Sequence, residues 1–321
     1  MTYHPLVAGL ATLLLAAAPL TAAAEFQLDS RYSDADGDLI ADIPTDPADW
    51  IDPPVLVFAY TPVEDPAVYE GVWADFLDHL SEETGKPVQF FPVQSNAAQI
   101  EAMRAGRLHV AGFNTGSNPL AVACAGFRPF AMMAAEDGTY GYRMAIITHV
   151  DSGIEKVEDI KGRTMAFTAE TSNSGYKAPS ALLSSKFGME AGRDFEAAFS
   201  GKHDNSVLGV YNKDYDAAAI ADQVMIRMAA RGVIDQDQIR VIYESDPFPT
   251  TGYGVVYNLS PELQEKIKAA FFNFDWEGTS LLAEYGNSDP AQEAFVPITF
   301  QNEWSVIREI DAAMDVSYAC Q

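Results

Sequence analysis

Short apolar runs alternate with amphipathic segments from residue 55 onward. The run VLVFAY (55–60) is typical of a buried strand, and residues 66–85 carry apolar side chains at helical spacing and end at a glycine. A strand at 87–93, a helix at 96–106 and a strand at 108–113 follow by the same criteria. This βαβαβ series predicts a parallel sheet covered by helices.

A second series of the same kind begins near residue 154. It predicts a strand at 163–168, a helix at 175–187, a strand at 195–199, a helix from about 202, a strand at 215–220, a helix at 221–232 and a strand at 239–245. Residues 246–259 then predict a crossover into another strand, and helices are expected at 260–274 and about 302–314.

Two such units joined by two crossings, near 149–153 and 246–252, predict an α/β protein of two lobes with a cleft between them. We expect each lobe to be a mainly parallel sheet with flanking helices. Lobe I is assigned residues 54–149 plus 252–321, and lobe II residues 150–251. Ligands of such sheets bind at the carboxyl ends of the strands, so the loops there are the candidate site.

Two segments precede the first predicted strand. Residues 1–24 hold an apolar run of signal-peptide length and end in three alanines, which predicts a secretory signal peptide and a periplasmic location. Residues 25–53 are rich in Asp and Pro and have little apolar periodicity, so we interpret them as an acidic arm outside the core. No later segment resembles a transmembrane helix.

Charge and cysteine content narrow the range of partners. Of the 321 residues, 46 are Asp or Glu and 20 are Lys or Arg, giving a net charge of −26, which argues against nucleic acid and anionic membranes as partners. We expect a monomer. The two cysteines, Cys124 and Cys320, form one disulfide in an exported protein or remain two unpaired thiols, and both possibilities stay open.

The segment TSNSGYKAP (171–179) follows a predicted strand and precedes a helix. Ser172, Asn173 and Ser174 favour helix N-caps, and the simplest interpretation is a capped helix. One capping residue suffices for that, whereas several hydroxyl, amide and backbone donors at a helix N-terminus are what an anion needs. His203 falls at the start of the next predicted helix, so the two helix ends are expected to converge.

Three stretches, AYTPVEDP, AFTAETSNSGYKAPSALL and FSGKHDNSVLGVYNKDYDAAAIA, occur in this order between about Val55 and Phe274. Together they resemble the phosphate, phosphite and phosphonate substrate-binding proteins of ABC importers, of the phosphonate-binding type. The resemblance implies a type II, two-lobed Venus-flytrap fold, no catalysis and no cofactor. It also implies a small phosphorus oxyanion as ligand and an inner-membrane ABC permease as partner.

The resemblance assigns roles to individual residues. Ser172, Asn173, Ser174 and His203 match the groups that hold the phosphonate, although Asn173 stands where the family has threonine. Tyr142 matches a family tyrosine from the facing lobe. Other candidates for closing over the ligand are Asn96, Tyr60, Thr251 and Tyr253.

One departure bears on the ligand itself. Relatives that bind aminoethylphosphonate hold its ammonium with carboxylates, and the matching positions here are Gln223 and Thr251, with Asp222 in reach after a one-residue slip. An ammonium group is costly to bury without a partner. The sequence therefore favours a ligand without an amine, such as phosphite, phosphate or a short alkylphosphonate.

Two other functions deserve weighing. Ser172 or Ser174 with His203 as base would make a hydrolase, but neither serine lies in a Gly-x-Ser-x-Gly motif. The segment DADGDLIAD places Asp34, Asp36, Asp38 and Asp42 as in acidic calcium loops, which would suggest a calcium-binding extracellular interaction protein. Leu39 replaces the expected glycine there, and an acidic solvated arm is the simpler interpretation.

Overall fold

The fold was analysed on a computed structural model that describes residues 26–320, so the predicted signal peptide at 1–24 lies outside the described residues. Within that range the strands are β1 Leu56–Tyr60, β2 Val88–Phe90, β3 Val110–Phe113, β4 Phe127–Ala134, β5 Met144–His149, β6 Thr164–Phe167, β7 Glu196–Phe199, β8 Ala217–Ala221, β9 Ile239–Glu244, β10 Gly252–Val256 and β11 Ala294–Pro297. The α-helices are α1 Pro66–Val72, α2 Ala74–Thr84, α3 Asn96–Arg104, α4 Asn118–Ala125, α5 Ala178–Phe187, α6 His203–Tyr211, α7 Asp222–Ala230, α8 Pro261–Phe272, α9 Ser280–Tyr285, α10 Phe300–Glu303 and α11 Ser305–Ala313.

The strands form two sheets, which confirms the two-lobed α/β class. The first sheet has the order β11-β4-β10-β3-β1-β2 and the second β7-β6-β8-β5-β9. In each sheet a parallel ladder, β2-β1-β3 or β7-β6-β8, is extended by antiparallel strands. The sheets are therefore mixed, because the strands next to the crossings return in the opposite direction.

The chain crosses between the sheets through residues 135–143 and 245–251. These segments run side by side, since β4 pairs with β10 in the first sheet, β5 pairs with β9 in the second, and Tyr142 pairs with Phe248 between them. The second crossing agrees with its predicted position. The first does not: β5 belongs to the second sheet, so the crossing comes before residue 144 rather than at 149–153.

Several elements differ from the sequence pattern. The helix expected at 66–85 is two helices that meet at Trp73, and the one expected at 302–314 is likewise two helices that meet at Trp304. Both tryptophans are fully buried, so each break turns a large side chain into the core. The pattern missed α4, α9 and the strands β4, β5 and β11.

Each sheet has its own hydrophobic core. The core of the first lobe is rich in aromatic rings, such as Phe58 and Trp73, whose centroids lie 4.7 Å apart. The second sheet buries small and aliphatic side chains on both faces, for example Ile146 on one and Ile147 on the other. Aromatic burial of this kind stabilises the first lobe by its large apolar area.

The acidic arm is not detached from the first lobe. Phe26 packs on Phe300 with a centroid distance of 5.2 Å, Tyr32 packs edge-on against Tyr257 at 4.9 Å, and Ala41 is fully buried. We predicted a segment outside the core because its apolar residues are too sparse to show a period. These scattered apolar residues nevertheless anchor the arm to the first lobe, each through its own contact.

The C-terminal segment returns to both lobes. α11 packs Ile307 into the core of the first lobe, and its Asp311 carboxylate lies 2.7 Å from the ammonium of Lys177, next to α5 in the second lobe. Cys320 then forms a disulfide with Cys124 on α4, which decides between the two states the sequence left open. Among residues 26–320, no helix combines the length and the apolar character that crossing a membrane requires.

Candidate ligand-binding site

A cavity of about 60 Å³ lies between the two sheets, at the carboxyl ends of β6 and β8. That volume corresponds to a few water molecules. The two crossings, the first lobe and the second lobe all contribute to its wall. The lining residues are Tyr60, Val63, Asn114, Thr115, Gly116, Tyr142, Ser172, Asn173, Ser174, His203, Ala221, Gln223, Val224, Arg227, Thr250, Thr251, Tyr285 and Gln292.

The loop after β6 is both a helix cap and part of the cavity wall. Ser172 Oγ accepts the backbone N–H of Gly175 at 3.1 Å and so caps a π-helical turn, Asn173–Lys177, that leads into α5. A Cβ at Gly175 would lie 1.9 Å from Thr168 Oγ1, so only glycine allows the turn to pack against the end of β6. Ser172, Asn173 and Ser174 are thereby held, buried, against the cavity.

His203 begins α6, as predicted, and its ring is fixed from both sides. Nδ1 accepts the backbone N–H of Ala221 at 3.0 Å, and Nε2 lies 3.2 Å from Ser172 Oγ. Because Nδ1 is an acceptor, the proton of the neutral ring sits on Nε2, which faces the cavity loop as a donor. Burial lowers the pKa of His203 to about 4, so the ring is neutral at physiological pH.

Tyr142 and Asn173 close one side of the cavity. Asn173 Nδ2 donates to the Tyr142 hydroxyl at 3.1 Å, while Asn173 Oδ1 is buried and has no hydrogen-bond partner among the described residues. A buried amide oxygen without a partner is costly, and as an acceptor this atom can bond only to a ligand group that donates, such as a protonated oxygen. Tyr142 comes from the first crossing rather than from the facing lobe, which corrects its predicted origin.

The structure separates the remaining predicted residues into two groups. Tyr60 and Thr251 line the cavity. Asn96 does not: its amide accepts from Asn114 Nδ2 at 3.0 Å and donates to Thr171 Oγ1 at 2.8 Å, one layer behind the wall. Tyr253, the second residue of β10, is fully buried in the aromatic core of the first lobe. Both predictions are corrected.

Gln223, rather than Asp222, is the wall residue at the start of α7. Gln223 Nε2 donates to Gly141 O at 2.9 Å, and its side-chain oxygen accepts from Gln292. Asp222 turns away and accepts the backbone N–H of Arg143 at 3.0 Å. Burial raises the pKa of Asp222 to about 6. Asp222, the alternative that a one-residue slip would bring in, is not among the described lining residues.

Sequence reasoning missed Arg227, Gln292 and Tyr285. Arg227 lies one helical turn after Gln223 on α7, so the i, i+4 spacing was the available signal. Tyr285 and Gln292 belong to α9 and the segment after it, which no strand-end rule would bring to the cavity. Arg227 also forms ion pairs with Glu64 and Glu284 from the first lobe.

The Ser172–His203 pair does not have the arrangement of a hydrolase. A general base would need a free Nε2 lone pair to take the serine proton, but the Ala221 N–H on Nδ1 leaves the ring proton on Nε2. The nitrogen that a triad carboxylate would contact is already bonded to this backbone group. The arrangement donates hydrogen bonds, which suits binding an anion.

The acidic loop of the N-terminal arm is distant in sequence from the residues that line the cavity. Carboxylate oxygens of Asp34, Asp36 and Asp38 come within 4.8 Å of one another, while Asp42 instead accepts the backbone N–H of Ala35 at 2.9 Å. Asp34 also accepts the N–H of Gly37 at 2.8 Å, so the turn is satisfied by its own backbone. Three of the four aspartates predicted to bind calcium therefore lie close together, and calcium binding stays a prediction.

Two α/β lobes that meet around a small cavity are the architecture of a two-lobed substrate-binding protein. The chain belongs to the family of phosphonate ABC transporter periplasmic substrate-binding proteins, whose profile matches residues 58–302. A phosphate-import protein of Mycolicibacterium smegmatis is 27% identical over 291 residues, covering 84% of this chain and 85% of the relative.

Solved structures agree with this fold. The binding component of an ABC phosphonate transporter from Pseudomonas aeruginosa superposes with a TM-score of 0.73 at 25% identity, covering 81% of this chain and 86% of that one. A protein from Prochlorococcus marinus in complex with methylphosphonate gives a TM-score of 0.72 at 18% identity, covering 83% and 100% of the two chains.

Proposed function

We propose that this protein captures a small phosphorus oxyanion without an amine, namely phosphate, phosphite or a short alkylphosphonate, in the cavity between its lobes and delivers it to a membrane permease. The observation that carries the proposal is the convergence of Ser172, Asn173, Ser174 and the neutral donor His203 on one cavity of about 60 Å³. The serine hydroxyls and the imidazole N–H can donate to the acceptor oxygens of such an anion, and Asn173 Oδ1 can accept from a protonated oxygen.

The size of the cavity supports a small ligand. A tetrahedral oxyanion of five heavy atoms is comparable with a few water molecules, whereas a nucleotide or a peptide is several times larger. The phosphate-import activity of the mycobacterial relative is consistent with a ligand of this size.

The charge of the wall argues against an aminophosphonate. Gln223 and Thr251 are neutral, and the charged residue in the wall, Arg227, is a cation. An ammonium group on the ligand would face that guanidinium with no carboxylate among the described lining residues to pair with, which is unfavourable in a buried site.

A calorimetric titration of the ligand-free protein with phosphate, phosphite, methylphosphonate and aminoethylphosphonate tests the proposal, with sulfate as the control anion. We expect at least one of the first three anions to bind at 1:1 stoichiometry. Aminoethylphosphonate should bind at least about tenfold more weakly than that anion, because burying its ammonium without a partner is costly. Preference for aminoethylphosphonate contradicts the ligand class. Binding of sulfate alone contradicts a phosphorus ligand.

A further inference from the structure

Among the described residues that line the cavity, Arg227 carries a formal charge at neutral pH. Every other lining side chain is uncharged, since burial keeps His203 neutral. Arg227 is buried, with 4% of its surface exposed, and shares one face of α7 with Gln223 and Val224. The helix therefore contributes a cationic residue to the wall of the space in which an anion would sit.

Carboxylates from the opposite lobe hold this guanidinium in place. Arg227 Nη2 lies 3.0 Å from Glu64 Oε1, and its Nε lies 3.4 Å from Glu284 Oε1. Its Cζ lies 5.1 Å from the ring centroid of Tyr285, a second contact with the first lobe. Four residues, Glu64, Arg227, Arg231 and Glu284, make up what we name the interlobe cluster.

Arg231, the residue that follows the last residue of α7, completes the interlobe cluster. Its guanidinium bonds to Glu64 and lies 2.9 Å from Glu284 Oε1. Both arginines belong to the second lobe, and both carboxylates belong to the first, in the loop after β1 and on α9. The cluster therefore forms only when the lobes are together.

The two carboxylates of the interlobe cluster respond differently to burial, which raises the pKa of Glu284 in spite of the arginines beside it. Burial by itself raises the pKa of Glu64, but Arg227 and Arg231 outweigh it and hold the pKa below its ordinary value. Glu64 also accepts the Tyr69 hydroxyl at 2.9 Å. Arg227 is the member of the interlobe cluster that is among the described lining residues of the cavity.

A buried anion needs such a partner. Moving a charge out of water is costly unless it is paired and hydrogen-bonded, and this protein carries a net charge of −26. Ser172, Ser174 and His203 supply hydrogen bonds but no positive charge. A guanidinium in the wall would supply that charge at the moment of closure.

We propose that Arg227 is a specificity-determining residue for the anion, and that Glu64 and Glu284 position it when the lobes close. The inference rests on the function proposed above. It makes closure depend on the ligand's charge: a neutral molecule in the cavity would leave the guanidinium without an anion to face, whereas an oxyanion would complete the arrangement.

The test compares two pairs of substitutions that each remove one Arg and one Glu. E64Q/R227Q removes the cavity charge together with its partner, so no buried charge is left alone, and R231Q/E284Q weakens the same interlobe cluster but leaves the cavity wall intact. Calorimetry with phosphate and methylphosphonate is run on both, on R227K and on the unmodified protein, with circular dichroism to confirm folding. E64A/R227A replaces the first pair if that pair does not fold.

We expect E64Q/R227Q to lose about tenfold or more in affinity, the effect of losing one charge-assisted hydrogen bond. R231Q/E284Q should lose several-fold less, and R227K, which keeps the charge, should retain most of the affinity. Equal losses in the two double variants, or a loss in R227K as large as in E64Q/R227Q, overturn the inference and leave the proposed function standing. If the unmodified protein binds neither anion, the proposed function fails and the inference fails with it.

Discussion

The backbone N–H of Ala221 donates to Nδ1 of His203 across 3.0 Å, and this one bond fixes the tautomer of the ring in the cavity. Ala221 ends β8 and His203 begins α6, so the bond joins neighbouring elements of the second lobe. It leaves the ring proton on Nε2, which lies 3.2 Å from Ser172 Oγ. The same burial that encloses the ring lowers its pKa to about 4.

The first prediction concerns the pH dependence of stability. As the pH falls below about 6.5, unfolded His203 takes up a proton that folded His203 refuses until about pH 4, so the unfolded state binds more protons and the free energy of unfolding falls. Between pH 6.5 and about pH 4, the free energy of unfolding should fall by about 3 kcal/mol through this one histidine. Urea unfolding of H203Q between these pH values should show a flatter slope than the unmodified protein. Equal slopes would contradict the buried, neutral imidazole.

The second prediction concerns Gly116 and lobe closure. A Cβ at this position would lie 2.3 Å from Thr171 O and 2.4 Å from Asn173 N, backbone atoms of the opposite lobe. G116A should therefore hinder closure without disturbing the open protein, and affinity for the best oxyanion should fall by about a hundredfold, in the range of an overpacked interface. G71A is the matched control, because a Cβ there meets nothing within 4 Å. Similar affinities of the two variants in calorimetry would count against closure around the ligand.

The third prediction concerns the buried ion pair behind the ligand loop. Lys177 Nζ lies 2.7 Å from Asp311 Oδ1 and also donates to Gly116 O at 2.9 Å. K177M leaves the carboxylate of Asp311 buried without its cation, which should lower the free energy of unfolding by about 3–5 kcal/mol. K177M/D311N should be less destabilised than K177M in chemical denaturation. A loss below about 1 kcal/mol in K177M would show that the pair carries little stability.

The fourth prediction concerns the disulfide between Cys124 and Cys320. It ties the C-terminal segment, which follows α11, to α4 across 196 residues of sequence. C124S/C320S should lower the free energy of unfolding by about 2–4 kcal/mol, mainly by releasing the unfolded chain. The unmodified protein in reductant should reproduce that loss in guanidinium denaturation. An unchanged denaturation midpoint in both experiments would show that the disulfide contributes little to the free energy of unfolding.

Much of the fold is predictable because local pattern and strand pairing agree. VLVFAY and the runs at 108–113 and 215–220 are short and apolar, and they form central strands of the two sheets. β5 shows the limit of this reasoning: its own sequence does not say which sheet it joins, since pairing with β8 and β9 decides that. The first lobe boundary was placed wrongly for that reason.

The residues of the site also fall into those that the sequence predicts and those that it does not. Ser172, Asn173, Ser174 and His203 follow strands directly, and the strand-end rule places all four at the cavity. Gln292 and Arg227 could not be found by that rule, because one lies in an irregular segment and the other inside a helix, next to carboxylates distant in sequence. Tyr253 was misplaced, because its depth in the sheet, which the sequence does not give, buries it in the aromatic core instead of at the cleft.

The most direct measurement is a crystal structure of the protein grown with the tightest-bound of phosphate, phosphite and methylphosphonate. The account predicts the phosphorus atom in the interlobe cavity, with its oxygens accepting from Ser172, Ser174 and Nε2 of His203. A ligand bound elsewhere, or an interlobe cavity that holds only water at saturating ligand, would contradict it.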